Sequence, residues 1–164
     1  ALHAQRNTVF PELPRFGLRL FLPQEMSQVN YYGMGPMECY RDKHHAASHS
    51  SYTATVWQLH EDYIRPQENG SHFDCDYVML AGDAVRLTAV GTQPFSFNAS
   101  HYTQEELTRK AHNYELEPCG STVLCLDYAQ NGIGSESCGP RLLEQYRLDD
   151  ATFNFGLRLF PEKK

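Results

Sequence analysis

RFGLRLFL (Arg15–Leu22) and TFNFGLRLF (Thr152–Phe160) share the hexapeptide FGLRLF, and their reading decides the fold class. In the first stretch Phe16, Leu18 and Leu20 alternate with Gly17 and Arg19. In the second, Phe153, Phe155, Leu157 and Leu159 alternate with Asn154, Gly156 and Arg158. A period of two puts one set of side chains on each face of a pleated strand, so both stretches predict half-buried β-strands. The hexapeptide is not part of a repeat array. The first copy runs on into LPQEMSQVNYYG and the second stops at PEKK, with no period of about 20–50 residues between them.

Outward from these stretches the chain reads as short strands between turn signals. Further strands are expected at Val29–Tyr32, Ala54–Leu59, Phe73–Leu80, Val85–Val90, Phe95–Asn98, Ser121–Tyr128 and Glu144–Leu148. Gly-Pro at 35–36 and 139–140, Asn-Gly at 69–70 and 131–132, and Gly-Asp at 82–83 punctuate them. One short helix is expected near 103–112. Thr103-Gln-Glu-Glu106 has the form of a capping box, and Leu107 and Ala111 follow on one face before fraying near His112. The expectation is all-β with that one helix, as a single domain over 1–164, since no linker or low-complexity tract divides the chain.

Composition bounds the function. The 164 residues suffice for one buried core, and ten Tyr and nine Phe against one Trp suit pleated surfaces. A formal net charge of −6 argues against nucleic acid and against an anionic membrane surface. No stretch approaches the roughly 20 apolar residues of a membrane span. ALHAQRNTVFPELPR shows no secretory h-region, so a cytoplasmic location is the expectation. The cysteines, Cys39, Cys75, Cys119, Cys125 and Cys138, are odd in number and contain no CxxC pair, which favours a reducing compartment over a disulfide framework or a zinc site.

Several constellations invite chemistry. His44, His45 and His49 suggest metal ligands, but HHAASHSSY reads as a loop, with no cysteine or carboxylate at ligand spacing. Glu38, Asp42, Glu61, Asp62 and Glu68 include enough acids for glycoside chemistry, which needs two carboxylates about 5–10 Å apart; acids on loops are more often solvated. Neither Cys39 nor Cys138 has a basic partner at a recognisable helix N-terminus. Pro66-Gln-Glu-Asn-Gly70 reads as a tight hairpin turn, with Asn69 and Gly70 at positive φ, in preference to a functional polar loop. Gly132-Ile-Gly-Ser-Glu-Ser-Cys-Gly-Pro140 is either an Ω-like structural loop or a functional surface, and its conformational demand raises the second possibility.

Taken in order, YYGMGPMECYRD (31–42), YIRPQENG (63–70), FSFNASHYTQEELTRKAH (95–112), LDYAQNGIGSESCGP (126–140) and FNFGLRLF resemble the C-terminal domain, or small chain, of bacterial β-galactosidases of glycoside hydrolase family two. The resemblance runs from about Leu13 to Phe160. It implies a β-supersandwich of the galactose-mutarotase-like type, of which this chain is the second half. It also implies that the two catalytic glutamates of retaining hydrolysis, and the magnesium and sodium sites, lie in a central barrel outside this chain, which itself needs no cofactor. The expected partners are that barrel-bearing portion or large subunit, within an oligomeric parent, and a galactoside substrate. By the same resemblance Cys138, flanked by Ser137 and Gly139, lies at the active-site mouth on the aglycone side, where other members often place a stacking Trp; the plainer reading of Cys138 is a small packed loop residue. A reading of another class is a stand-alone carbohydrate-binding or aldose-mutarotase-like module, for which His72, Asp74 and Asp76 are the acid–base candidates.

Overall fold

A computed structural model of the chain describes residues 1–132 and 140–164. It is built of antiparallel strands. In chain order they are β1 (Leu2–Gln5), β2 (Arg15–Pro23), β3 (Gln28–Gly35), β4 (Ser48–Thr55), β5 (Ser71–Ala81), β6 (Val85–Ser100), β7 (Ser121–Gln130), β8 (Thr152–Phe155) and β9 (Leu157–Lys163); one helix, α1 (Gln104–Arg109), lies between β6 and β7. The main sheet has the order β2-β7-β6-β5-β3-β4, with β9 also on β6, and β1 pairs with β8 in a separate two-stranded sheet.

The two FGLRLF copies part company here. The first is one continuous strand, β2, with Phe16, Leu20 and Leu22 turned to the core. The second is not one strand. It breaks at Gly156, whose carbonyl accepts from the Thr92 amide at 2.9 Å. Phe153 and Phe155 stay in the small sheet, buried at 1% exposure, while Leu157–Lys163 crosses to the main sheet and pairs with Val85–Gly91. A side chain at 156 would meet Thr92 within 2.6 Å, so the crossing point takes glycine.

β6 merges two of the expected strands into one of 16 residues. Its first half borders β9 and its last residues border β7, both along the edge opposite β5. Pro94, which has no N–H to donate, stands between those two paired regions, where neither neighbour reaches it.

Other expectations fail for local reasons. Ala54–Leu59 is not a strand: β4 ends at Thr55, whose hydroxyl and the Gln58 amide form a reciprocal capping box that turns Val56–Leu59 into a 3-10 helix. Glu144–Leu148 is not a strand either, and Glu144–Tyr146 is a 3-10 turn. HHAASHSSY is only partly loop. From Ser48 it forms β4, an edge strand bonded to β3 alone, so its exposed positions carry Ser and His and no apolar alternation shows. Helix α1 has its Thr103 cap, bonded to the Glu106 amide at 3.1 Å, but stops at Arg109 and leaves Ala111 exposed beyond it. The Glu106 carboxylate engages Arg109, Lys110 and the Glu117 amide instead of returning to Thr103.

The core lies against one face of the main sheet. Tyr31, Val78, Leu80, Ala89, Phe97, Leu124 and Leu126 are fully buried there. A bulge links the two sheets. Phe16 faces Ala129 and Gly17 faces Asp127, so Tyr128 is the extra residue of β7. Its ring packs edge-on against Phe153 and Phe155 at 5.6 and 6.2 Å. The same bulge brings Gly17 hard against the β7 backbone.

Candidate functional site

Ser137, Cys138 and Gly139 lie outside the described residues, as does all of 133–139. The two ends of that segment are described, and polar contacts tie them together. At the β7 end, the Asn131 amide donates to Pro14 O and its Oδ1 accepts from the Leu148 amide, both at 2.9 Å. Gly132 passes so close to the chain opposite that a Cβ there would stand 2.4 Å from Leu142 and 2.5 Å from the Asp42 carboxyl. At the other end, Leu142 is buried, and its carbonyl accepts from Arg147 Nε and Nη2 at 3.3 and 3.2 Å. Arg41 donates to Arg147 O at 3.1 Å. Arg41 and Asp42 are presented together by the tight turn that the Tyr40–Lys43 bridge closes.

Glu38 braces that turn from beneath. It is only 7% exposed. Its Oε1 accepts from Lys43 Nζ at 2.7 Å and from the Tyr63 hydroxyl, and its Oε2 accepts from the Gly70 amide at 2.9 Å and the Tyr40 hydroxyl at 3.3 Å. Burial pushes such a carboxyl upward, but the bonds from Lys43, Tyr63 and Gly70 outweigh it and hold Glu38 below its ordinary value. Glu38 is thus a fixed anion joining YYGMGPMECYRD to PQENG.

PQENG is not the expected hairpin turn. Gly70 alone takes positive φ, at 69°, and a Cβ there would stand 2.3 Å from Leu59 O, so the position takes glycine. Asn69 is buried, bonds the Glu61 amide at 3.0 Å, and its carbonyl accepts from Asn98. This segment is a loop packed inward, held by side-chain amides that replace missing ladder bonds.

A second carboxylate went unnoticed in the sequence. Asp127, 2% exposed on β7, accepts from Arg15 Nε at 3.2 Å and Nη2, and from Gln130 Nε2 at 3.1 Å. Arg15 also reaches Glu68. Burial pushes the Asp127 carboxyl up to about 6 against the pull of Arg15, whose own guanidinium stays charged throughout. Gln130 passes the network on to Ser71 Oγ at 3.1 Å. The sequence signal was faint: an arginine just ahead of the first FGLRLF and an acid directly before the bulge residue Tyr128.

The candidate acids and histidines are dispersed. Asp62 is exposed beside His60, and Glu61 is exposed on its loop. His44 and His45 stack at 4.8 Å, while His49 bonds Asp74 O at 2.9 Å. Among the described residues no group of three or more His, Cys, Asp or Glu is placed to hold a metal ion. His72, Asp74 and Asp76 do not converge. Asp74 sits on a bulge at φ 55°, Asp76 is exposed, and His72 is buried, its Nδ1 near the Tyr31 hydroxyl (3.1 Å) and Met34 O (3.3 Å).

His72 Nε2 is buried without a hydrogen-bond partner among the described residues, and burial depresses the ring to about 4. The folded chain therefore keeps His72 neutral where the unfolded chain protonates it, below about 6.5. Stability from this group is present above that value and drains as pH falls towards 4, by about 3 kcal/mol at ~1.36 kcal/mol per unit. Asp127, raised to about 6, acts in the opposite sense over an overlapping window. The diagnostic quantity is thus the difference between the chain and His72→Gln in urea titrations from pH 7 to pH 4. The expected result is a shallower acid loss in the variant; identical slopes would refute the assignment.

An antiparallel β module whose loops are braced by two buried carboxylates, Glu38 and Asp127, is the class that this fold and geometry define. The chain belongs to the β-galactosidase small-chain family: the family model described as beta galactosidase small chain matches residues 1–159. It is 49% identical over 162 residues to a β-galactosidase of Actinobacillus pleuropneumoniae, covering 99% of this chain and 16% of that protein. A β-galactosidase of Staphylococcus xylosus is 43% identical over 155 residues, covering 94% and 16%. One of Kluyveromyces lactis is 32% identical over 146 residues, covering 88% and 14%. The chain thus spans about a sixth of the length of these relatives. No helix among the described residues is long and apolar enough to cross a membrane.

Proposed function

We propose that this chain is a non-catalytic domain of a β-galactosidase, the second half of its galactose-mutarotase-like supersandwich, and that it completes the mouth of the sugar site and helps hold the quaternary structure. The observation that carries the reading is the family match over 1–159 to proteins some six times longer. The geometry supports it. Among the described residues the two best-buried carboxylates, Glu38 and Asp127, are both engaged by cations and amides that brace loops. Hydrolysis of terminal β-galactosides such as lactose then rests on glutamates and metal ions of the barrel-bearing portion, on the same polypeptide or on a large subunit, in the cytoplasm.

In this reading the segment carrying Ser137, Cys138 and Gly139 lines the aglycone side, and the clamp of Asn131, Arg41 and Arg147 sets where it starts and ends. Two measurements test it. The chain alone is expected to hydrolyse neither lactose nor a nitrophenyl galactoside, with activity appearing only alongside a barrel-bearing partner; robust turnover by the chain alone contradicts the proposal. In the intact parent enzyme, Cys138→Trp supplies a ring face for sugar stacking. It is expected to change aglycone affinity more than galactose affinity, and equal effects on both would count against the position. The mutarotase alternative predicts faster equilibration of α-galactose in a polarimeter, for which the dispersed His72, Asp74 and Asp76 supply no acid–base pair.

A further inference from the structure

One surface gathers large apolar and aromatic side chains that neither the core nor the loop braces use. Ile64 and Tyr114, each 81% exposed, are the two most exposed large apolar side chains among the described residues. Trp57, the chain's single tryptophan, is half exposed. We propose that the surface carrying Trp57, Ile64 and Tyr114 is a docking face for the part of the parent polypeptide that lies outside this chain, and that the surface covering it is apolar with a basic rim. The proposal rests on the reading of this chain as one domain of a longer enzyme, and adds which face meets the rest.

Contiguity is the first argument. The Trp57 ring lies 5.9 Å from that of Tyr102, and Tyr102 lies 5.0 Å from His60. The loop runs on from His60 to Ile64, whose carbonyl accepts from the Asn113 amide at 3.1 Å, so the 112–114 turn stands beside it. With about 150–250 Å² for a large side chain, the exposed parts of Trp57, Ile64 and Tyr114 amount to roughly 400 Å², the size of patch that marks an interaction site when polar groups rim it. Scattered singly, such residues would need no explanation. Trp and Tyr are also among the residue types that interface cores favour.

Pre-organisation is the second. Trp57 sits in the 3-10 turn that Thr55 and Gln58 cap. Tyr63 anchors the loop just before Ile64 through its hydroxyl on Glu38. The Glu115 carboxylate accepts from the Ala111 and His112 amides at 3.1 and 2.8 Å, and Asn113 Oδ1 accepts from the Tyr114 amide at 2.9 Å. A face fixed before contact loses little entropy on docking. Charge is the third argument, and it selects the occupant. Asp62, its side chain 83% exposed, lies 3.6 Å from His60, but burial lowers the His60 ring below its ordinary value and keeps it neutral at pH 7. Glu61 is exposed next to it, and Glu117 is exposed beyond the turn. Against these acids the loop sets one exposed cation, Arg65, while Lys110 is engaged by Glu106 and Glu117. The rim is therefore net negative. A second copy related by a two-fold axis would meet this rim with the same rim, like charge against like. The matched relatives are about six times longer than this chain, so a different surface is available from the same enzyme. Contacts between domains of one polypeptide bury about 600–1,500 Å², an area that this patch with its rim can supply.

The test uses the intact parent enzyme and hydroxyl radicals, which oxidise Trp and Tyr side chains in proportion to their exposure. An open face would let Trp57 and Tyr114 react at about 50% and 81% of their rates in the urea-unfolded parent. Docking is expected to bring both down to about a tenth, as in the desolvated centre of an interface. Ile64→Asp in the parent is expected to raise both rates about three-fold or more, because it sets an unpaired carboxylate against an apolar surface. Asp62→Lys is expected to raise them further than Asp62→Asn does, since it turns attraction to the basic rim into repulsion. In the 164-residue chain Ile64→Asp is expected to leave the urea midpoint unchanged, the side chain being exposed there. A lowered midpoint would place Ile64 in the domain's own packing and overturn the proposal. Tyr114→p-benzoylphenylalanine identifies the occupant: on irradiation of the parent it is expected to attach to a peptide outside residues 1–164. Attachment to a peptide within 1–164 of another copy, or both rings oxidised at the open rates, overturns the proposal. Open rates in a parent whose isolated 164-residue chain is inert would sink this contact and leave the non-catalytic reading standing. Turnover by that chain alone, with both rings shielded in the parent, would do the reverse.

Discussion

Arg15→Leu is expected to lower folding stability by about 3–5 kcal/mol at neutral pH, the cost of leaving one partner of a buried ion pair uncompensated. Asp127 is 2% exposed, and Arg15 provides two of its three side-chain donors. With the guanidinium gone, the carboxyl rises further above the about 6 that burial already imposes. Its folded value then lies well above the roughly 3.9 of an unfolded aspartate. A folded carboxyl of that kind holds its proton where the unfolded one has lost it, so the variant's stability is fully present at low pH and drains as pH rises. The penalty is therefore largest at pH 7 and shrinks on acidification. Urea denaturation of both chains at pH 7 and pH 4.5 measures it. A penalty unchanged between the two pH values would show that lost packing, not the stranded carboxylate, is responsible. Adding Asp127→Asn to Arg15→Leu is expected to recover part of the loss, because it removes the unpaired charge.

Gly17→Ala is the second large effect, at about 4 kcal/mol, above the usual range for added methylenes in packed interiors because backbone blocks it. A Cβ at 17 would stand 2.3 Å from Leu126 O and 2.6 Å from the Asp127 Cα. Neither atom belongs to a flexible side chain. β2 and β7 must separate at the bulge, which loosens the Tyr128 ring from Phe153 and Phe155 and disturbs the Arg15–Asp127 pair. At about 2–4 °C per kcal/mol the melting temperature falls by about 8–16 °C. Gly120→Ala is the control: Gly120 sits at φ 75° with nothing within 4 Å of a Cβ, so only backbone strain of about 1 kcal/mol is expected. Comparable losses at the two positions would remove the steric explanation.

What was legible in the chain follows the strength of the local signal. β2, β3 and β5 were found because each carries an apolar alternation, and β7 because Val123–Leu126 is a short continuous apolar run of the kind a fully buried strand carries. β4 was missed because an edge strand bonded on one side needs no such alternation, and SHSSYTAT has none. The TFNFGLRLF pattern was read correctly as extended but not as two strands, since a change of sheet at Gly156 leaves the period of two intact on both sides. Thr55 and Gln58 spelled out a helix cap three residues apart, and the run Ala54–Leu59 obscured it.

The site divides the same way. Glu38, Glu68 and the PQENG loop stood out by residue type, but their roles did not, because a carboxylate's role is set by the donors around it. Lys43 and Tyr63 reach Glu38 from 5 and 25 residues away, and Arg15 reaches Asp127 across 112. Sequence by itself determined the all-β class, the helix cap at Thr103 and the kinship with β-galactosidase small chains, since those rest on neighbouring residues and motif order. Only the tertiary structure decided which acids are buried, which cation neutralises each, and how the glycine-rich segment is held at its ends. Those facts depend on distances between residues remote in the chain, and electrostatic and desolvation energies follow distance and burial, not order.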